Sequence, residues 1–217
     1  MAYEQDYFKT RKYPLKQQLV ERHVLEVLRW ATKALGENLL KGVGKRALDV
    51  GCAYGYPSHV LSGLGYETCS TDISTWGTKQ AKRQSGGEFL VCDALTPLPF
   101  RAGTFDLVTC FDVLEHLSYP EKALLGMFDV CKGGLVFTTP NKTVEKPVRK
   151  LMRDYDETHI SGKSPSDWRE CVSGCLAFKD LQVAAFHDFA VGFGGKVFFK
   201  SFKIPTYGLT VRIVVRK

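Results

Sequence analysis

The chain contains no apolar stretch near ~18 uninterrupted residues, so its sequence offers no membrane-spanning helix. Its start, Met1-Ala2-Tyr3-Glu4-Gln5-Asp6-Tyr7, lacks the basic residues and apolar run of a secretory leader. There is no C-x-x-C pair. The nearest two thiols are Cys171 and Cys175, and a zinc site needs a tighter ligand cluster. The 7 cysteines therefore read as reduced thiols, with Cys69, Cys92 and Cys110 in apolar, strand-like runs, and a cytoplasmic location is expected. Repeats and low-complexity segments are missing too. Acidic side chains are in deficit, 23 against 30 Lys and Arg, which leaves a formal charge of +7.

What is present is an ordinary globular composition. Of 217 residues, 44% are hydrophobic and 24% charged, which excludes wholesale disorder and collagen-like structure. That length suits one domain with a real core. The charge is uneven. Residues 1–46 carry +5, residues 47–141 carry −4, and residues 142–217 carry +6. The basic flanks admit an anionic partner, nucleic acid included, without requiring one.

Apolar residues at Leu15, Leu19, Val24, Val27, Leu28, Ala31 and Leu35 predict an amphipathic helix from Leu15 to about Leu40, ended by Gly42 and Gly44. Strands and helices then alternate. Strands are predicted at 46–50, 67–72, 88–92, 105–111 and 135–139, with helices starting at Pro57, after Asp72 and at Pro120. Nearly continuous apolar strands separated by helices predict a parallel sheet covered on both faces. Ligands bind such sheets at the carboxyl ends of the strands. Beyond Asn141 an irregular polar stretch is expected, then a helix capped by Ser164, Pro165 and Asp167, and strands near 181–186 and 209–215. The stretch from His187 to Tyr207 interleaves phenylalanines with lysines, and a hairpin that packs one face while its lysines stay in water is expected there rather than binding of single-stranded nucleic acid.

The strongest motif is Leu48-Asp49-Val50-Gly51-Cys52-Ala53-Tyr54-Gly55, a strand that runs into a glycine-containing turn. Gly51 and Gly55 let the backbone approach a ligand closely. Asp72 closes the next strand, where a carboxylate can accept both hydroxyls of an adenosine ribose. The spacing departs from the dinucleotide pattern G-x-G-x-x-G. An acid directly before the turn suits a cofactor end that bears an ammonium or sulfonium, so the turn favours S-adenosylmethionine over a nicotinamide dinucleotide.

From about Arg46 to Asn141 the chain resembles the class I S-adenosylmethionine-dependent methyltransferases, the broad family that includes the ubiquinone and menaquinone biosynthesis methyltransferases. The resemblance rests on ordered blocks: 49–55, Asp72-Ile73, Val91-Cys92-Asp93-Ala94, Leu98-Pro99-Phe100, 104–108, Asp112-Val113-Leu114-Glu115-His116-Leu117, Gly133-Gly134 and Thr139-Pro140-Asn141. It implies an α/β fold, a doubly wound, mostly parallel seven-stranded sheet in the order 3-2-1-4-5-7-6 with the seventh strand antiparallel. It implies S-adenosylmethionine as cofactor and S-adenosylhomocysteine as product. Cofactor contacts are expected from Asp49, Gly51, Cys52, Ala53, Gly55, Asp72, Ile73, Asp93, Ala94 and Phe111. Ala53 departs from the family, which usually has glycine there.

His116, after strand four, and His159, in the segment where the family builds substrate pockets, are the candidate bases. Tyr3, Tyr7 and Tyr13 are candidate lid residues framing the acceptor, with Asp112 beside them. Asp112, Glu115, His116 and His159 also resemble the divalent-metal cluster of small-RNA 2′-O-methyltransferases. The wider family carries the same string without metal, and no metal is expected. One domain is expected over 1–217: a helical lid over 1–45, a cofactor core over 46–141 and a substrate-side segment over 142–217. The expected activity is methyl transfer to O, N or C of a small or lipid-like acceptor, neutral to anionic. Methylation of RNA, or cofactor binding without catalysis, are the alternatives.

Overall fold

The computed structural model describes residues 3–151, 156–194 and 196–217. Five strands run parallel: β1 (Arg46–Val50), β2 (Glu67–Asp72), β3 (Glu88–Val91), β4 (Phe105–Phe111) and β5 (Cys131–Pro140). Three more follow: β6 (Asp180–Phe193), β7 (Lys196–Lys203) and β8 (Thr210–Arg216). The order is β3-β2-β1-β4-β5-β8-β6-β7. The last strand lies antiparallel to both β5 and β6, as expected.

The sheet has eight strands, not the seven expected. The extra strand is β7, which pairs antiparallel with the far half of β6 from Phe186↔Lys203 to Phe193↔Lys196. Gly194, at φ +58, begins the turn between them. Phenylalanine and valine recur on both sides of Gly194 and make two strand-forming runs. Packing of the 187–207 aromatics is realised only on one face. Phe199 reaches His23, while Phe189, Phe198, Phe202 and Tyr207 stay exposed.

Among the described residues, seven α-helices flank the sheet: α1 (Gln5–Thr10), α2 (Gln17–Leu35), α3 (Tyr56–Gly63), α4 (Thr75–Gln84), α5 (Pro120–Val130), α6 (Lys142–Leu151) and α7 (Pro165–Cys175). Buried Val24, Val27, Leu28, Ala31 and Leu35 form the inner stripe of α2, which packs with Val60 and Leu61 of α3 on one sheet face. On the other face Leu124 and Met127 of α5 and Trp168 and Val172 of α7 meet Leu48, Val108 and Leu135. Helix α2 ends earlier than expected. Gly36 takes the left-handed conformation at φ +66, and the Leu39 amide turns back to donate to Thr32 Oγ1 at 3.1 Å. The irregular segment expected after Asn141 begins instead as α6, because Val144 and Val148 recur at helical spacing despite Pro147. Helix α7 carries the expected capping box between Ser164 and Asp167.

Candidate active site

Beyond β1 the chain turns at the carboxyl edge of the sheet through Gly51 (φ +79), Ala53 (φ +47) and Gly55 (φ +78). A Cβ on Gly51 would collide with Val113 Cγ2, and one on Gly55 would lie 2.7 Å from Ser85 Oγ. The loop thus needs glycine at both positions, and Ala53 holds a conformation that costs an L-residue energy.

Asp49 is 1% exposed. Ser58 Oγ donates to its Oδ2 and Thr109 Oγ1 to its Oδ1, each at 2.9 Å. Burial outweighs these donors and pushes the carboxyl up to about 7, with the charge of Asp72 adding to the effect. Asp72 accepts the Ala53 amide on Oδ2 and the Ser74 amide on Oδ1, both at 2.7 Å. One hydrogen bond per oxygen leaves each with a lone pair to offer a ribose diol. Asp93, half-buried, accepts the Leu95 amide on Oδ1 at 2.9 Å. Cys52 is buried, Ala53, Ala94 and Phe111 are half-buried, and Ile73 is exposed beyond β2. A close-approach loop, two buried acids that lack a cationic partner among the hydrogen bonds and ion pairs described, and an apolar flank together fit a net-cationic nucleoside cofactor.

A second group of side chains gathers beyond β4 and β5. His116 lies on the 3-10 turn Leu114–His116 and His159 on the loop before α7, and their rings sit 4.6 Å apart. Thr158 Oγ1 donates to Asp156 Oδ1 at 2.6 Å and meets His116 Nδ1 at 2.8 Å. That hydroxyl has one proton and spends it on Asp156, so His116 Nδ1–H must be the donor in the second bond. His159 Nδ1 donates to Glu145 Oε1 at 2.5 Å. Both rings therefore hold their Nδ1 protons in hydrogen bonds, and Nε2 is the ring nitrogen that each has left. His159 Nε2 lies 3.9 Å from Glu115 Oε1 and from Asp156 Oδ2. Burial and the neighbouring His159 lower the pKa of His116, so it is neutral at physiological pH. One donor atom each from Glu115, His116 and His159 lie within 4.8 Å of one another, a set able to hold a divalent cation.

The N-terminal segment closes over both groups. The Glu4 carboxylate accepts the Thr75 and Trp76 amides at the start of α4, at 3.3 and 3.1 Å. Phe8, 3% exposed, packs among Tyr13, Tyr54 and Tyr56, and Tyr13 stacks on Tyr56 at 5.4 Å. Burial pushes the Tyr13 phenol well above its usual value, and the charges of Asp49 and Asp72 add to the effect. Tyr3 meets His116 edge-on at 5.5 Å. Tyr7 donates to Asp156 Oδ2 at 3.3 Å, and Arg11 pairs with the same oxygen at 2.7 Å. Burial pushes Asp156 up, but the Thr158 hydrogen bonds and the charges of Arg11 and His159 outweigh it and hold the carboxyl below its ordinary range. Asp112, at φ +52, is exposed beside the cluster and accepts Thr138 Oγ1 at 2.8 Å.

Sequence reasoning brought His116, His159, Glu115 and the three tyrosines to this region. It missed Glu4, Arg11, Glu145, Asp156 and Thr158. Asp156 and Thr158 were legible only as neighbours of His159, and nothing in the sequence links Glu145 to that histidine.

The geometry agrees with what the chain is similar to. A family model described as a methyltransferase domain matches residues 20–174. The chain belongs to that family. A ubiquinone biosynthesis O-methyltransferase of Burkholderia multivorans is 33% identical over 109 residues, 47% of this chain and 47% of the relative. The mitochondrial ubiquinone biosynthesis O-methyltransferase of Schizosaccharomyces pombe is 31% identical over 112 residues, 46% of this chain and 40% of the relative. The match thus spans about half the length of these curated relatives or less. Among solved structures, an S-adenosylmethionine-dependent methyltransferase of Thermotoga maritima, a possible histamine N-methyltransferase, superposes with TM-score 0.68 at 17% identity over 97% of this chain and 96% of that one. Magnesium protoporphyrin IX methyltransferase of Synechocystis, with bound S-adenosylhomocysteine, superposes with TM-score 0.64 at 18% identity over 98% of this chain and 97% of that one. Among the described residues, no helix is long and apolar enough to cross a membrane.

Proposed function

We propose that the protein transfers a methyl group to a hydroxyl oxygen of a small or lipid-like acceptor, neutral to anionic, with His159 as the base. Asp49, the 51–55 loop, Asp72 and Asp93 hold the cofactor, which supplies a methyl group on a sulfonium. Displacement at such a methyl needs alignment and exclusion of water more than it needs acid catalysis. A hydroxyl acceptor needs a base as well. The observation that carries the reading is the His159–Glu145 pair. The Glu145 carboxylate, 4% exposed, fixes the tautomer and steadies the imidazolium that forms when Nε2 takes the acceptor proton. His116, held through Thr158, orients the acceptor across from it. The O-methyltransferase names of the curated relatives support oxygen as the acceptor atom, and the basic flanks support a neutral to anionic molecule. The RNA reading draws no support from these relatives.

A labelled-methyl screen against extract split into lipid, small-molecule and RNA fractions tests the acceptor class. Label in the RNA fraction alone would overturn the reading. Against the acceptor found, His159→Gln should lower kcat by about 10²-fold or more. Its cofactor affinity by calorimetry should match the parent, and an unchanged kcat would remove the base role. Glu145→Gln should lower kcat less than His159→Gln and leave cofactor affinity unchanged, as expected of a positioning residue. The Glu115, His116 and His159 donor set supports a second reading, in which a divalent cation binds the acceptor oxygen there. Metal analysis of the purified protein and chelator treatment decide between the two, because a base mechanism survives chelation and a cation mechanism does not.

A further inference from the structure

We propose that the outer face of the β6–β7 hairpin docks the protein onto an anionic lipid surface. Strand β6 pairs with β8 only from Asp180 to Phe186. Beyond Phe186 it pairs with β7 alone, so the hairpin projects past the carboxyl edge of the sheet, on the side that carries the candidate site.

The two faces of this hairpin are chemically opposite. On the inner face Asp188 pairs with Arg212 Nη2 at 2.5 Å and His23 Nδ1 at 3.0 Å, Ser201 donates to it, and Phe199 packs on His23. On the outer face the directly opposed pairs are His187 with Phe202, Phe189 with Lys200, and Val191 with Phe198. Phe189 is 57% exposed, Val191 46%, Phe198 62% and Phe202 48%. A contiguous apolar face of this kind is rare on a surface that meets only water.

Charge selects the occupant. Asp188 is the sole acid between 187 and 207, and it is turned inward and neutralised by Arg212. Lys200, exposed on this face, has its Nζ 5.3 Å from the centre of the Phe202 ring, and Lys203 is exposed at the base of the hairpin, opposite Phe186. Lys196 opens β7. The same edge carries exposed Lys142 and Lys146 on α6, whose start is tied to the hairpin's return by Asn141 Nδ2 donating to the Thr206 and Gly208 carbonyls. Phenyl rings ringed by lysines suit a bilayer interface, where the rings enter the acyl boundary and the ammonium groups meet lipid phosphates. Single-stranded nucleic acid fits less well, because Val191 and the half-exposed Ile204 offer no stacking plane.

The inference does not rest on the acceptor or on catalysis. Its test is co-sedimentation of the full chain with phosphatidylcholine vesicles, with and without phosphatidylglycerol. The protein should sediment with the anionic vesicles and be partly released by high salt. Phe198→Ser/Phe202→Ser should weaken that binding about tenfold or more, with cofactor affinity and thermal midpoint unchanged. Should that variant fail to fold, Lys200→Glu/Lys203→Glu, which alters only exposed charge, serves in its place. Any of four results would overturn the proposal: no sedimentation of the parent, variants that bind like the parent, a parent dimer that the variants dissociate, or binding of single-stranded RNA in place of vesicles.

Discussion

Ala53 holds φ +47 in the middle of the cofactor loop, between two glycines that also take positive φ. Left-handed backbone costs an L-residue about 1–2 kcal/mol, part of which glycine returns as extra freedom in the unfolded chain. Ala53→Gly should therefore raise stability by about 0.5–1 kcal/mol, read as a thermal midpoint about 2–4 °C higher. A lower midpoint would show that Ala53 gains more from its methyl contacts than it loses in strain. Asp49 makes a second prediction. Its carboxyl titrates at about 7 when the cofactor is absent, because burial disfavours the charge. Folding then favours the protonated form, so the group's contribution to stability is complete at low pH and fades as pH rises through 7. On the proposed role of Asp49, cofactor binding runs the other way, since an ammonium seeks the ionised acid. Cofactor affinity by calorimetry should be about tenfold weaker at pH 6 than at pH 8, and Asp49→Asn should flatten that dependence while weakening binding throughout.

Two elements outside the cofactor core are fastened by buried polar contacts rather than by apolar area alone. Arg212 is 1% exposed, lies across the Phe186 ring, and pairs with Asp188 to tie the β6–β7 hairpin to the sheet. Removing one partner of a buried pair strands the other charge. Asp188→Ala should cost about 3 kcal/mol in denaturant unfolding, and Asp188→Ala/Arg212→Met should recover much of it. Equal losses in the single and double variants would mean that the pair is not coupled. The N-terminal element is held by Glu4 on α4, by Phe8 in the aromatic cluster, and by Tyr7 and Arg11 on Asp156. Glu4→Gln/Phe8→Ala should speed amide exchange in α1 and cofactor dissociation, and leave exchange in β1 and β4 unchanged. Protection in α1 equal to the parent's would mean that these contacts do not hold the lid.

Across the whole molecule, residues 47–141 carry −4 and, with Arg46, form the five parallel strands, and the basic flanks carry α1, α2, α6 and the projecting hairpin. Much of this was legible before any coordinates. The strands and helices of the core follow from apolar periodicity, the turn at Gly51–Gly55 from the need for positive φ, and the acids at strand ends from their position at the ligand edge. Each of those signals is local, carried by neighbours along the chain. The misread element, α6, had a weak and conflicting local signal, since it contains Pro147 and few apolar residues, while the hairpin at 187–207 was expected and only its place as an eighth strand was not. The sequence by itself determined a methyltransferase-like α/β core and its cofactor. Only the tertiary structure decided that Glu145 would meet His159, that Tyr3 would reach His116, and that one aromatic face of the hairpin would be left to solvent. Those contacts join residues far apart in the chain, and packing of whole elements, not local preference, sets which of them meet.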